Sequence, residues 1–189
     1  MQTRPIDNAL YESYSDDIPD FLKKIYAARA ITETQLSLSL PCLLKPDFNQ
    51  LNIALEILEK SILEDQRILI VGDFDADGAT ASAVAIKALR LMGARYVDFL
   101  VPNRFKHGYG LSPEIVNEAK TEKDPHLIIT VDNGISSNEG ASLARSFGID
   151  VIITDHHLPP KELPNANAII NPNLSGCDFP SKNLAGVGV

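Results

Sequence analysis

Apolar residues recur at helical spacing over the first third of the chain. Within residues 18–26 they share one helical face, and a second short helix is predicted to begin at Thr32. Over residues 49–64 leucine, alanine and isoleucine recur every three or four positions, which is typical of an amphipathic helix. The pattern predicts a helical N-terminal region over residues 1–64 that packs on the core that follows.

The pattern changes at Arg67. Short runs rich in valine, isoleucine and leucine then alternate with stretches of helical spacing. Such alternation is typical of an α/β fold, doubly wound, with a mainly parallel sheet and helices on both faces. We therefore expect a second domain over residues 65–189. Strands are predicted near 67–72, 95–101, 127–131, 150–153 and 167–170, and helices near 79–92, 112–120 and 137–147.

Polar clusters follow four of the predicted strands. In parallel sheets of this kind, ligands bind beyond the carboxyl ends of the strands. A turn or a helix cap explains any one cluster more simply, because Asp and Asn favour such positions. Four clusters on one edge of the same sheet favour a functional site instead. The clusters are Asp73 to Gly78, Asn103 to Gly110, Asp132-Asn133-Gly134 and Asp155-His156-His157.

The first cluster places three carboxylates at alternate positions, Asp73, Asp75 and Asp77. Carboxylates so close together repel one another unless a cation lies among them. The same order of residues also opens a calcium-binding EF-hand loop, which needs a glutamate at its twelfth position and a helix before it. Val84 occupies that position and a predicted strand precedes the loop. The cluster therefore predicts half of a divalent metal site, with a solvated acidic turn as the alternative.

Composition narrows the class of protein. The chain has 189 residues, 44% of them hydrophobic, which suits one domain or one and part of another. We find no apolar run of about 18 residues and no signal-peptide pattern, and Cys42 and Cys177 form no CxxC pair. These features predict a cytoplasmic protein with reduced thiols. The net charge of −8 disfavours a general nucleic-acid coat protein, but it does not exclude an enzyme that acts on nucleic acid.

Together, the motifs resemble the DHH phosphoesterase superfamily and, within it, the RecJ-type exonucleases that degrade single-stranded DNA from 5′ to 3′. The resemblance rests on the aspartate cluster, on Thr130 to Ile135 and on Asp155-His156-His157. It also rests on Val101 to Ser112, and on Asn171-Pro172-Asn173 followed by Leu184 to Val189. It covers most of the chain. It implies a metal-dependent hydrolase of phosphodiester bonds in DNA repair and recombination.

The resemblance also implies a set of metal ligands. Asp132 would bridge two ions, and Asp73 would be a further ligand or a carboxylate beside the ligands. Aspartate oxygens with an imidazole suit Mn²⁺ or Mg²⁺. Two such ions about 3.5–4 Å apart can hold both sides of an in-line phosphoryl displacement. The full set of expected ligands is Asp73, Asp75, Asp77, Asp132 and His156, with Asp155 and Asn133 as residues that contact and orient them.

Four residues are expected to contact the substrate. His157 would face the scissile phosphate and would be catalytic together with Asp132; a buried structural histidine is the alternative. Arg104 suits bidentate contact with a phosphate, with an exposed loop charge as the alternative. Tyr109 can stack on a base or pack the loop, and Gly110 permits close approach of a DNA strand.

Two departures from the family pattern matter. Pyrophosphatase-like members carry a histidine four residues before the middle aspartate, and Val71 stands there, which disfavours a pyrophosphatase. The family also supplies another bridging aspartate beyond the segment that ends at Val189, so we interpret the chain as an N-terminal fragment that is inactive alone. The alternatives are a DHH phosphodiesterase for short oligonucleotides or cyclic dinucleotides, and a non-catalytic module stabilised by metal. The expected partners are single-stranded DNA and proteins of repair and single-strand binding, with no membrane.

Overall fold

The computed structural model describes residues 4–37 and 43–189. The chain forms two compact units that divide between Lys45 and Pro46. The first unit confirms the helix predicted over 18–26, whereas the short helix predicted from Thr32 is a 3-10 helix. Its elements are α1 (Asn8–Ser13), α2 (Asp20–Ala27) and the 3-10 helix (Glu33–Leu36).

Helix α3 (Leu51–Leu63) belongs to the second unit. The sequence had grouped this helix with the N-terminal region, because its spacing resembles that of the helices before it. Its apolar residues, including Leu51, Leu58 and Ile62, pack against one of the two core clusters of the sheet. The division by contacts therefore lies at 45/46 and differs from the predicted boundary at 64/65. The predicted packing of the N-terminal region on the core stays a prediction.

The second unit is built on a five-stranded, wholly parallel sheet, which confirms the α/β class. The strand order is β2-β1-β3-β4-β5, so the chain moves one way from β1 to β2 and then crosses to the other side of β1. The strands are β1 (Arg67–Gly72), β2 (Tyr96–Leu100), β3 (Leu127–Val131), β4 (Asp150–Thr154) and β5 (Ala168–Ile170). The connecting helices are α4 (Ala76–Leu91), α5 (Arg104–His107), α6 (Pro113–Glu122) and α7 (Asn138–Ser146).

Two apolar clusters cover the two faces of this sheet. Ile68 and Ile70 of β1 face the cluster that includes residues of α3 and α4. Leu69 and Val71 face the cluster that includes residues of α6 and α7. Because both faces are covered, the inner strands β1 and β3 are almost continuously apolar, whereas the edge strand β2 carries the exposed Asp98. Each fully buried aliphatic side chain contributes roughly 1.5–3 kcal/mol, which makes the sheet a firm base for the loops at its edge.

Helix α4 begins three residues earlier than predicted. The Asp75 side chain caps it by accepting a hydrogen bond of 2.9 Å from the Gly78 backbone N–H. Gly78 allows this early start, since a Cβ atom there would lie only 2.5–2.7 Å from backbone atoms of Asp73. Asp77 therefore lies in the first turn of a helix and not in a loop.

Three smaller observations complete the comparison with the sequence. The segment predicted as a loop after β2 contains the short helix α5, whose first turn the Asn103 side chain caps through the Phe105 N–H at 3.0 Å. Cys177 is buried with a free thiol, and Cys42 lies outside the described residues. Within the described ranges, every helix is too short or too polar to cross a bilayer.

Candidate metal centre

The carboxyl ends of three adjacent strands bring the predicted acidic clusters together. Gly72 of β1 pairs with Val131 of β3, so Asp73 and Asp132 leave the sheet side by side. Val131 also pairs with Thr154 of β4, which places Asp155 next in line. The strand order reverses between β1 and β3, and such switch points form the ligand-binding crevice of open α/β sheets.

Two groups of potential metal ligands lie in this crevice. One group is Asp73, Asp75 and Asp132, and the other is Asp132, His156 and His157. In each group, one ligand atom from every residue lies within 4.8 Å of the others. Asp132 is common to both groups, so the two groups meet at its carboxylate. Carboxylate oxygens with imidazole nitrogens are a donor set that fits Mn²⁺ or Mg²⁺.

Asp132 has the most unusual environment of the site. Its φ of 62° lies in the left-handed region, which Asp tolerates better than most residues, and its N–H donates to the Thr154 carbonyl at 3.1 Å. The residue is 2% exposed. Its Oδ1 accepts no hydrogen bond from the described residues and lies 3.1 Å from Nε2 of His156. Burial, reinforced by the charges of Asp77 and Asp75, raises the pKa of Asp132 to about 6.

The side chains of Asp73 and Asp75 accept hydrogen bonds from backbone N–H groups of their own turn. Asp73 is 7% exposed, and its Oδ1 accepts a bond of 2.7 Å from the Phe74 N–H. Asp75 uses its Oδ1 for the cap of α4. A carboxylate has about four acceptor positions, so one such bond orients the group without saturating it. Both carboxylates can therefore still bind a cation.

Asp77 makes different contacts. Its two oxygens accept the backbone N–H groups of Gly186 and Val187, at 2.6 and 2.9 Å. Its Oδ2 is also 3.9 Å from Nε2 of His156. Among the residues the structure describes, Asp77 joins neither of the two ligand groups. The structure thus brings Asp77 to the margin of the site rather than to its centre.

Asp155 organises the histidine pair. The residue is 1% exposed, and its Oδ1 accepts the backbone N–H groups of His156 and His157 at 2.7 and 3.1 Å. The same oxygen contacts Nδ1 of His157 at 2.7 Å, and its Oδ2 accepts the Ile135 N–H at 2.9 Å. Burial opposes the charge of His157, but the hydrogen bond and charge of Asp155 outweigh it, and the pKa of His157 is raised. The two imidazole rings lie 4.6 Å apart between centroids; Nε2 of His156 contacts Asp132, whereas Nδ1 of His157 contacts Asp155.

Three asparagines fix the backbone around these side chains. Asn133 donates from Nδ2 to the carbonyls of Val71 and Val131, at 3.0 and 2.9 Å, and so ties the ends of β1 and β3 together. Sequence reasoning did not single out the other two as site residues. Asn171 donates to the His157 carbonyl at 2.9 Å, and Asn173 donates to the His156 carbonyl at 2.6 Å. The sequence signal for these two residues is the Asn171-Pro172-Asn173 motif, which supports the family resemblance but by itself predicts no contact with the histidines.

A row of rings leads away from His157. The Tyr109 ring lies edge-on to His157, with centroids 6.2 Å apart, and Phe74 lies edge-on to Tyr109 at 6.5 Å. The Arg104 guanidinium stacks over Phe74, with Cζ 4.2 Å from the ring centroid. Sequence reasoning missed Phe74 because an aromatic residue between two aspartates carries no spacing signal. The row places Arg104 on the same edge as the carboxylates, at its outer end.

Tyr109 lines the space beside the histidines, and the next residue, Gly110, is buried against Ser137. The Tyr109 hydroxyl donates to the Asp132 carbonyl at 3.4 Å, and its ring is half exposed. Burial, followed by the charge of Asp73, raises the pKa of Tyr109, so the phenol stays neutral. Gly110 has a φ of 71°, and a Cβ atom there would lie 2.9 Å from Oγ of Ser137. A cavity of about 330 Å³ opens here, lined by residues that include Asp73, Tyr109 and His157.

Comparisons with known proteins identify the family to which this chain is similar. The sequence model of the DHH family, N-terminal domain, matches residues 67–189. The single-stranded-DNA-specific exonuclease RecJ of Escherichia coli K12 is 52% identical over 175 residues, covering 92% of this chain and 30% of the relative. The protein of the same name from Bacillus subtilis 168 is 46% identical over 136 residues, covering 72% of this chain and 17% of the relative.

Solved structures show the same fold. A crystal structure of exonuclease RecJ bound to manganese superposes with a TM-score of 0.67 at 35% identity, covering 76% of this chain and 36% of that one. RecJ from Thermus thermophilus in complex with Mn²⁺ superposes with a TM-score of 0.70 at 26% identity, covering 99% of this chain and 26% of that one. The chain spans about 30% of the length of its first curated relatives. Because the family match extends over more than half of its residues and includes every acidic cluster described above, this chain belongs to the DHH family.

Proposed function

We propose that this chain supplies the metal-binding domain of a metal-dependent phosphodiesterase, a 5′→3′ exonuclease that degrades single-stranded DNA in repair and recombination. The observation that carries the proposal is the position of Asp132, which belongs to both ligand groups at the switch point of the sheet. The relatives that match are named single-stranded-DNA-specific exonucleases, which supports the choice of substrate. The protein would work in the cytoplasm with repair and single-strand-binding proteins as partners.

The proposal assigns roles along the chain. Residues 65–189 form the DHH domain, and residues 1–64 are a helical lead-in. Asp73, Asp75 and Asp132 hold one Mn²⁺ or Mg²⁺ ion. Asp132 and His156 hold the second, with Asp77 beside them. The solved relatives that contain manganese support this choice of metal. When bound, the cations lower the pKa of a water molecule and offset the negative charge of the phosphate oxygens.

The remaining residues of the site act on the substrate. The raised pKa of His157 favours the protonated imidazole, which can donate a hydrogen bond to the scissile phosphate and stabilise its developing charge. Asp155 holds that imidazole in place through Nδ1. Asn133 keeps the neighbouring strand ends at a fixed separation. The chain's own contribution to catalysis is therefore a preorganised set of charges.

The outer end of the site is suited to the nucleic-acid strand. Stacking on Phe74 holds the Arg104 guanidinium in one plane, which prepares its N–H groups for a phosphate. The half-exposed Tyr109 ring can stack on a base, since base–aromatic stacking tolerates any sequence. Gly110, which is expected from the sequence to admit the strand, is buried, and it acts here by letting the loop that carries Tyr109 pack closely on Ser137.

The test uses a protein of the relatives' full length that carries this sequence. It is given single-stranded DNA, duplex DNA and dinucleotides with Mn²⁺, and the DNA carries either a free 5′ end or a phosphorothioate block there. We expect mononucleotide release from free 5′ ends of single strands, loss of that activity in Asp132→Asn, and retention in Asp98→Asn, whose carboxylate pairs with Lys123 away from the site. Preference for dinucleotides would indicate a phosphodiesterase of short oligonucleotides. Metal-dependent stabilisation without hydrolysis of any substrate would indicate a non-catalytic module.

A further inference from the structure

One segment reaches the candidate metal centre from a distant part of the chain. Gly186 and Val187 open a 3-10 turn, Gly186–Gly188, and their N–H groups both point at the Asp77 carboxylate. These partners are 109 and 110 residues apart in sequence. Asp73 and Asp75, by contrast, bond amides of their own turn. Of the three aspartates, Asp77 is therefore the one whose side chain accepts hydrogen bonds from a distant part of the chain.

Gly186 also lies in close contact with a second carboxylate of the site, that of Asp132. Gly186 is buried, and a Cβ atom built on it would lie 2.5 Å from Cγ and 2.6 Å from Cβ of Asp132. Real Cβ atoms essentially never approach another heavy atom within 3.0 Å. Any side chain at this position would therefore displace either the Asp132 side chain or the segment itself.

We propose that Gly186 is a positioning residue of the metal centre, which acts through Asp77 and Asp132. Its amide, with that of Val187, fixes the Asp77 carboxylate, and its lack of a side chain leaves room for the Asp132 carboxylate. This inference rests on the proposed function, because it concerns the same metal site. Bonds from an N–H group to a carboxylate are stronger than bonds between neutral groups. Each carboxylate oxygen accepts more than one bond, so Asp77 can hold both amides and still offer a ligand atom.

A purely structural role is the competing explanation. The first N–H groups of a helical turn need an acceptor in any case, and Asp77 could serve only as that cap. The two roles differ in their effect on metal affinity. A cap that does not position a ligand leaves the affinity for Mn²⁺ unchanged when it is disturbed, provided that the protein stays folded.

The experiment is a calorimetric titration with Mn²⁺ of a protein of the relatives' full length that carries this sequence. Gly186→Ala should weaken the affinity roughly 10–100-fold, the range found when residues that orient metal ligands are lost. Gly188→Ala is the matched control, because a Cβ atom there first meets a side-chain carbon of Leu184 at 3.3 Å, and that side chain can rotate. It should change the affinity by less than about twofold, as expected of a substitution outside the site.

A second variant and a second measurement distinguish the loss of the contacts to Asp77 from misfolding. Val187→Pro removes the N–H group that donates to Asp77 Oδ1, and the proline φ suits a 3-10 turn. It should lower Mn²⁺ affinity in the same direction as Gly186→Ala but less. In ¹H–¹⁵N spectra of the metal-free chain, the Gly186 and Val187 amide protons should move upfield in Asp77→Asn, while the Gly188 amide stays in place. Circular dichroism confirms that each variant is folded.

The outcomes separate the two proposals. Unchanged Mn²⁺ affinity in a folded Gly186→Ala chain and in Val187→Pro would overturn the positioning role and leave the proposed function standing. Equal losses in Gly186→Ala and Gly188→Ala would also overturn it, because they would show a general disturbance of the segment. A parent protein of the relatives' length that fails to bind Mn²⁺ would overturn the metal site itself, and the positioning role with it.

Discussion

Replacing Asp132 by asparagine should stabilise the metal-free chain while it destroys the metal site. Asparagine has nearly the same shape and also tolerates the positive φ at this position, so the backbone is not strained. The carboxylate that it replaces is buried beside Asp75 and Asp77, and in the folded chain its pKa is raised from 3.8 to about 6. Without a cation, ionisation of Asp132 therefore lowers the free energy of unfolding of the chain.

The sign and size of this effect follow from proton linkage. A folded-state pKa above the unfolded value means that the folded chain binds the proton more tightly. The stability of the parent therefore falls as the pH rises from about 4 to about 6 and is level above that. At 1.36 kcal/mol per pKa unit, the penalty is on the order of 1.5 kcal/mol at pH 5 and 3 kcal/mol at pH 7.5. Asparagine cannot ionise, so Asp132→Asn lacks this destabilisation. The variant should melt about 6–12 °C higher than the parent at pH 7.5.

The assay is thermal unfolding followed by circular dichroism, with a chelator present, at pH 5 and pH 7.5. Asp98→Asn is the control of opposite sign, because a hydrogen bond from Lys123 lowers the pKa of Asp98 and its ionised form stabilises the fold. Added Mn²⁺ should raise the melting temperature of the parent and leave Asp132→Asn unchanged. An Asp132→Asn chain that is no more stable than the parent at pH 7.5, or a difference that does not grow with pH, would refute the reasoning.

Three further predictions concern DNA. The 189-residue chain alone should hydrolyse labelled single-stranded DNA very poorly in the presence of Mn²⁺, since it spans about 30% of its relatives; robust digestion that a chelator abolishes would contradict this. In a protein of the relatives' length, Arg104→Ala should weaken single-strand binding more than it slows single-turnover hydrolysis, and should reduce the slope of log K against log salt; an unchanged slope would make Arg104 an ordinary surface charge. In the same protein, His156→Ala should lose both Mn²⁺ and activity, whereas His157→Ala should keep Mn²⁺ and lose roughly 10²–10³-fold in turnover; equal loss of metal in both would make His157 a ligand.

Local patterns along the sequence were sufficient to predict most of the fold. The apolar runs fall on the five strands to within about two residues, and the inner strands are the clearest because a parallel strand buried on both faces must be apolar throughout. The turn-forming aspartates and asparagines predicted which edge of the sheet would carry the site. The sequence predicts the start of α4 three residues too late, because a glycine such as Gly78 is more typical of a loop than of a first helical turn. In the structure this glycine lets a helix begin directly against the strand end.

The tertiary structure decided the relations between distant residues. The sequence alone determined that carboxylates and imidazoles would gather at one edge, since the carboxyl ends of parallel strands must meet there. It could not assign the Asp77 carboxylate to the amides of Gly186 and Val187. It could not place the Phe74 ring between Arg104 and Tyr109 either. Periodicity records only which face of its own element a residue occupies, whereas these contacts depend on how separate elements pack against one another.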